Sequence, residues 1–266
     1  MQDRFDAGEV ARFENATWSR CAKGYMNGFG ALVGEGIGPL LDEVEVTAGK
    51  RVLDVGTGPG LVAAGATERG ASVVGVDFSD VMLAEARRLH PEIEFRSGSA
   101  EALPFEDGEF DAVVGNFVLH HSGQPDKVLE EALRVLRRDG RTGFTVWADL
   151  SKLEAFGLFF AAVEEHAGAA ELPNGPLFGV SDFAVFHTMA RDAGFRDSSV
   201  RELQIAWRTD SIDPFLSAFR DWANLEEFPT DVRSAIEATV RERASVYRRG
   251  DVFEMPNPAI LVSAVK

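Results

Sequence analysis

The run Arg51-Val-Leu-Asp-Val-Gly-Thr-Gly-Pro-Gly60, followed by Ser72-Val-Val-Gly-Val-Asp77, constrains the fold more than any other part of this chain. Val52, Leu53 and Val55 lack the polar alternation of a half-exposed strand, which predicts a parallel strand buried on both faces. The glycines that follow let the backbone pass close to a ligand. Asp77 ends the next strand, one helix further on, where a carboxylate can accept hydrogen bonds from both hydroxyls of a ribose. A dinucleotide-binding turn reads G-x-G-x-x-G, whereas here the glycines stand at 56, 58 and 60 and Leu61 takes the place of the third glycine. The turn therefore fits a nucleoside without a pyrophosphate, and Leu61 speaks against a nicotinamide oxidoreductase.

Strands are predicted at about 51–56, 72–77, 93–97, 110–117, 141–148, 198–208 and 258–265, with helices between them. The helix after Gly60 should end near Gly70. The one opening at Ser79 carries Met82, Leu83, Ala86 and Leu89 on one face before Pro91. A third, from about Asp126, presents Leu129, Ala132, Leu133 and Leu136 and should end at Gly140. Strict alternation of strand and helix through residue 148 implies a parallel, doubly wound sheet. Beyond Trp147 the spacing widens to about fifty residues between strands, and these insertions read as helical. Their cues are Leu153, Phe156, Phe160 and Val163, then Asp213-Pro214 ahead of Phe215, Phe219 and Trp222, then a helix over 230–247 with Arg233, Glu237 and Arg241 at i,i+4 spacing. The chain reads as one α/β domain of 266 residues: an N-terminal segment (1–50), an alternating strand-and-helix core (51–148), and helical insertions with the last two strands (149–266).

Charge narrows the partners. Lys and Arg number 27 against 43 Asp and Glu, and a net charge of −16 repels both a nucleic-acid backbone and an anionic membrane. The expected partner is a small molecule. The single cysteine, Cys21, has no internal disulfide partner, the first residues lack the apolar core of a secretory signal, and no stretch approaches a membrane span, so a cytoplasmic protein is expected. Phe outnumbers Tyr by 20 to 2, which favours greasy cavity walls over hydroxyl-rich ones.

Five blocks in order resemble the class I S-adenosylmethionine-dependent methyltransferases, in the small-molecule branch that includes ubiquinone and menaquinone biosynthesis enzymes. They are Val52–Gly60, Val74–Ser79, Ser97–Phe105, Phe110–His121 and Arg134–Gly140. The resemblance implies a Rossmann-like, doubly wound seven-stranded sheet whose last strand is antiparallel, with a helical N-terminal lid and helical cap insertions that choose the substrate. It implies S-adenosylmethionine as cofactor and S-adenosylhomocysteine as product. Carried over residue by residue, Asp54 lies near the methionine amino group, Gly56, Thr57, Gly58 and Gly60 shape the turn, and Asp77 clamps the ribose. Phe78 and Met82 wall the adenine, while Ser99, Ala100 and Glu101 read its amino edge. Ser99 departs from the family's acid there, which shifts the reading onto the Ala100 backbone and Glu101. Asn116 falls beside the sulfonium, which Trp18, Tyr25 and Phe117 can face through cation–π contact.

The expected activity is methyl transfer to oxygen or carbon of a small, apolar or aromatic metabolite, which needs in-line placement and exclusion of water more than side-chain chemistry. An alternative is the same cofactor fold catalysing a non-methylating cyclisation; a binding or regulatory module fits so complete a site poorly. His121, and next His120, are candidates to take a proton from the acceptor, since imidazole titrates near working pH. In the family the Leu-His-His motif accompanies many substrates, so a packing role competes. His90, His166 and His187 read as core or surface residues. No metal site is expected: Glu164-Glu165-His166 lacks zinc-helix spacing, and Asp107–Asp111 is no calcium loop.

Overall fold

The computed structural model describes residues 6–168 and 181–266. The first five residues of the expected lid and residues 169–180 of the expected cap lie outside the described residues. The chain opens with α1 (Ala7–Cys21), α2 (Phe29–Gly34) and α3 (Ile37–Glu43). It then alternates through β1 (Arg51–Val55), α4 (Leu61–Glu68), β2 (Ser72–Asp77), α5 (Asp80–Leu89), β3 (Glu94–Ser97), β4 (Phe110–Asn116), α6 (Pro125–Val135) and β5 (Leu136–Trp147). The second part comprises α7 (Glu154–Ala167), α8 (Phe183–Ala193), β6 (Asp197–Leu203), β7 (Ala206–Thr209), α9 (Asp213–Trp222) and α10 (Thr230–Ala244), then β8 (Arg248–Arg249), β9 (Val252–Pro256) and β10 (Ala259–Val265).

Seven strands form one sheet in the order β3-β2-β1-β4-β5-β10-β6. The first five are mutually parallel, and β10 runs antiparallel to both β5 and β6. The chain moves outward from β1 through β3, then returns to start β4 on the other side of β1. The strand order thus reverses between β1 and β4, where open α/β sheets place their ligands at the carboxyl ends of the strands. Both central strands are sealed on both faces, Val52, Leu53 and Ala112–Val114 being fully buried, as continuous apolar runs require.

Three local expectations are corrected. The helix expected to run to Gly140 stops at Val135, because Leu136 turns extended and joins β5. The ladder between β4 and β5 shifts register between Phe110 and Ala112, which absorbs the intervening residues. Lys266 Nζ donates to the carbonyls of Leu133 and Leu136, both at 2.7 Å, and so satisfies acceptors that the helix end leaves open. The strand expected over 198–208 is two strands, with β6 in the main sheet and β7 in a second sheet of order β7-β9-β8. That second sheet also makes the cap less purely helical than expected, since β8 and β9 lie within it.

The lid and cap meet on the carboxyl side of the sheet. Ser19 Oγ lies 3.3 Å from Ser79 Oγ, and Asn15 Nδ2 donates to the Phe78 carbonyl, which ties α1 to the end of β2. Arg20 donates to the Asp221 carbonyl, tying the same helix to α9. No helix among the described residues is long and apolar enough to cross a membrane.

Candidate active site

The glycine turn after β1 follows a backbone path that residues with a side chain rarely adopt. Gly56, Gly58 and Gly60 have φ of +63°, +53° and +88°, the left-handed region that disfavours a Cβ. At Gly56 a Cβ would stand 2.3 Å from a Val118 methyl, so bare backbone is pressed against the segment that follows β4. Beneath the turn, Asp54 Oδ2 accepts from Thr57 Oγ1 at 2.6 Å and from the Ala63 N–H at 3.1 Å. Its Oδ1 is buried with no hydrogen-bond partner among the described residues. Burial pushes the Asp54 carboxyl up to about 7, against the lowering effect of those two hydrogen bonds.

Asp77 is held from two sides: Oδ2 accepts from the Gly58 N–H and Oδ1 from the Ser79 N–H, both at 2.8 Å. Burial raises its carboxyl to about 6 despite these bonds. One lone pair on each oxygen remains, and Asp77 faces both of the clefts that meet over the turn. Those clefts enclose about 730 Å³ and 1210 Å³ including their open mouths, and share Gly56, Asp77, Phe78, Val118 and His121 as a common wall. The first is aromatic, with Trp18, Tyr25, Phe29, Phe117, Trp147 and Phe156 around it and no Lys or Arg among the described residues that line it. The second runs between α1 and the 98–101 segment.

The structure thus brings thirteen of the expected residues to the clefts and leaves four outside. Trp18, Tyr25, Gly56, Gly58, Asp77, Phe78, Met82, Asn116, Phe117 and His121 line the first cleft; Ser99, Ala100 and Glu101 line the second. Asp54, Thr57, Gly60 and His120 line neither. The first three support the turn. His120 is fully buried against Phe117 and Trp147, and burial, together with the neighbouring His121, holds its protonation well below the usual imidazole range. Ser99 Oγ accepts from the Glu101 N–H, while Glu101 Oε1 accepts from Ser122 Oγ at 2.5 Å and the Gln124 N–H at 3.1 Å. Asn116 spends both ends of its amide, donating to the Val33 carbonyl and accepting from Thr145 Oγ1. Phe117, at φ +56°, stacks on Trp147 with ring centroids 3.9 Å apart. His166 and His187 bond to Thr239 and Ser198 and reach neither cleft.

One residue in the second cleft had no place in the sequence reading. Glu14 of α1 is 1% exposed, and its Oε1 lies 3.1 Å from His121 Nδ1. Its Oε2 accepts from the Trp18 indole N–H at 2.9 Å. The signal was present in the spacing. Val10, Glu14, Thr17 and Cys21 form the buried stripe of α1, and a carboxylate on a buried stripe requires a partner. Trp147, Phe156 and Trp222 were also missed as walls, since nothing in a helix or strand pattern tells a cavity wall from core.

Comparison with known proteins adds the family. Residues 53–144 match the family model described as "Methyltransferase domain". A demethylmenaquinone methyltransferase of Renibacterium salmoninarum is 42% identical over 102 residues, which are 38% of this chain and 43% of that one. A ubiquinone biosynthesis O-methyltransferase of Pseudomonas entomophila is 35% identical over 153 residues, 53% of this chain and 62% of the relative. The chain thus spans less than half the length of the first of these relatives. Among solved structures, the YcgJ protein of Bacillus subtilis superposes with a TM-score of 0.59 at 22% identity, over 86% of this chain and 97% of that one. The [4+2]-cyclase SpnF superposes at 0.53 and 21% identity, over 87% and 80% of the two chains. The strand order and the match over residues 53–144 make this chain similar to the class I S-adenosylmethionine-dependent methyltransferases, with a methyltransferase domain at its core.

Proposed function

We propose that this protein transfers a methyl group from S-adenosylmethionine to oxygen or carbon of a small, apolar or aromatic acceptor. The observation that carries the reading is the junction of the two clefts at Asp77 over a floor of bare glycine backbone. The residues present suit that cofactor. The second cleft has room for an adenosine beside Ser99–Glu101, and Asp77 stands at the junction with one acceptor lone pair free on each oxygen for a ribose. The unpartnered Oδ1 of Asp54 suits an ammonium or its ordered water. The sulfonium supplies an activated methyl carbon. Trp18, Tyr25 and Phe117 then offer aromatic faces to a positive sulfur, and the surrounding cap keeps water from the reacting centre.

The acceptor belongs in the aromatic cleft, which has no cationic side chain to hold a phosphate or carboxylate. The quinones in the two relatives' names are ring-bearing acceptors of this apolar kind. The likeness to a cyclase is a likeness of fold, and no residue in the clefts favours a non-methylating reaction.

Calorimetric titration with S-adenosylmethionine, followed by incubation of a metabolite panel with methyl-labelled cofactor, tests the reading. Binding of the cofactor and transfer of label with matching release of S-adenosylhomocysteine are expected. Absence of cofactor binding overturns the proposal, and product formation without S-adenosylhomocysteine would favour the non-methylating alternative.

A further inference from the structure

The geometry points to Glu14 as a positioning residue that fixes the tautomer of His121, and to an acceptor whose reacting group is a neutral hydroxyl on an aromatic body. This inference rests on the methyl-transfer reading above. Glu14 Oε1 and His121 Nδ1 are both buried and lie 3.1 Å apart, and neither atom makes a hydrogen bond among the described residues, to the other or to any third group. Each is therefore free to pair with the other, and a carboxylate facing Nδ1 keeps the proton of the neutral ring on that nitrogen. Nε2 is then bare. It is not enclosed as Nδ1 is, and the ring borders both clefts. Trp18 completes the arrangement, since its indole N–H occupies Glu14 Oε2 and turns Oε1 toward the histidine. The T-shaped packing of Trp18 on His121, with centroids 5.1 Å apart, fixes the plane of the ring.

A bare Nε2 at the junction accepts one proton. As the acceptor O–H gives its proton to Nε2, the oxygen electron pair forms the new C–O bond, and the C–S bond electrons pass to sulfur, leaving a neutral thioether. Glu14 balances the imidazolium that results. Other acceptor classes match the cleft less well. A carboxylate acceptor needs no base and finds no Lys or Arg there. An ammonium acceptor needs an anionic partner, yet Asp77 is taken by the ribose in the proposed reading and Glu14 faces Trp18 and His121. A phenol or enol needs only what is present, an apolar slot and one base.

The lid helix thereby contributes to the chemistry, since Glu14 sits on α1 while His121 follows β4 in the core. The Trp18 contact also makes the Glu14→Gln variant informative. The indole N–H will hold the amide oxygen, which turns the NH₂ group toward Nδ1 and forces the ring proton onto Nε2, where it blocks proton uptake.

The test is the tautomer itself, read by long-range ¹H–¹⁵N correlation of the imidazoles with S-adenosylhomocysteine bound, at about pH 8.5, above the ordinary imidazole range. In the native protein His121 is expected as the Nδ1–H form, and in Glu14→Gln as the Nε2–H form. Finding Nε2–H in the native protein, or no change in the variant, overturns the role of Glu14; the native measurement stands even if the variant fails to fold. A panel of phenols, matched benzoates and matched benzylamines with methyl-labelled cofactor tests the acceptor. Transfer to phenols is expected, with kcat falling about 10²-fold or more in Glu14→Gln and KM little changed. Transfer to the acids or amines alone, or to none of the phenols, overturns the acceptor class. Failure of S-adenosylhomocysteine to bind would instead remove the functional reading on which this inference stands.

Discussion

At the scale of single residues the site turns on Asp77, whose carboxylate does two things at once. It holds the glycine turn through Gly58 and the start of α5 through Ser79, and it offers its remaining lone pairs to the clefts. Replacement by Ala removes both, and replacement by Asn keeps one acceptor oxygen. Asp77→Ala is therefore expected to weaken S-adenosylmethionine binding by more than tenfold, about 1.4 kcal/mol or more, with Asn intermediate. Calorimetry on the two variants decides it, and an affinity equal to the native protein in both would remove the ribose assignment. Asp77 was legible because a carboxylate at the end of the second strand follows from spacing alone. Glu14 was legible only as a carboxylate on the buried stripe of α1, because nothing in a sequence marks which histidine it will meet. The His120–His121 pair shows the same limit from the other side. Neighbours in sequence, they differ in that one ring is sealed behind Phe117 and Trp147 and the other borders both clefts, a distinction set by a single turn of 3₁₀ helix.

At the scale of elements, the cap is organised by α9 and its Phe219. The ring is fully buried, stacks on Phe159 with centroids 4.4 Å apart, and packs edge-on against Phe156 at 5.1 Å. It also contacts Phe29 at 5.5 Å, so helices from cap and lid share one aromatic cluster. Phe219→Ala leaves a ring-sized void there and is expected to lower stability by about 3–5 kcal/mol in urea unfolding. Because Phe29 and Phe156 both border the first cleft, the loss should raise KM for the acceptor more than Kd for the cofactor. Equal changes in both would show that the cluster does not shape the acceptor side. Helical spacing made α9 and its apolar face legible, and the same cue found α5 and α10. It failed for β7, β8 and β9, whose two to five residues are too short for a period to register, and β7 finds its partner β9 only some forty residues further along the chain. It failed also at Gly140, where a helix stop signal sits inside a strand because the ladder to β4, not the local preference, decides where α6 ends.

At the scale of the whole molecule, two buried carboxyls beneath and beside the cofactor turn couple folding, binding and pH. Burial lifts Asp54 to about 7 and Asp77 to about 6, from an ordinary value of 3.8. Between about pH 4 and 7 the folded protein therefore holds more protons at these groups than the unfolded chain, and stability at them declines as pH rises through that window. Self-repulsion of a chain with a net charge of −16 acts in the same direction. Carboxylates such as Glu131, held low by Arg134, act in the opposite sense, their contribution being lost as pH falls below the ordinary carboxylate range. The ligand-free protein should consequently melt highest at about pH 5 and lower at about pH 7.5. In the proposed reading the cofactor reverses the slope, because it brings a sulfonium and an ammonium beside Asp54 and Asp77 and so favours the ionised carboxylates. Binding should tighten as pH rises from about 5.5 to 7.5 and should release protons near pH 6.5. Titration calorimetry in buffers of unlike ionisation enthalpy reads that release directly. Proton uptake, or an affinity that does not change with pH, would mean that these two carboxyls do not face the positive part of the ligand, whereas loss of the proton release in Asp54→Asn would assign it to the carboxylate under the turn.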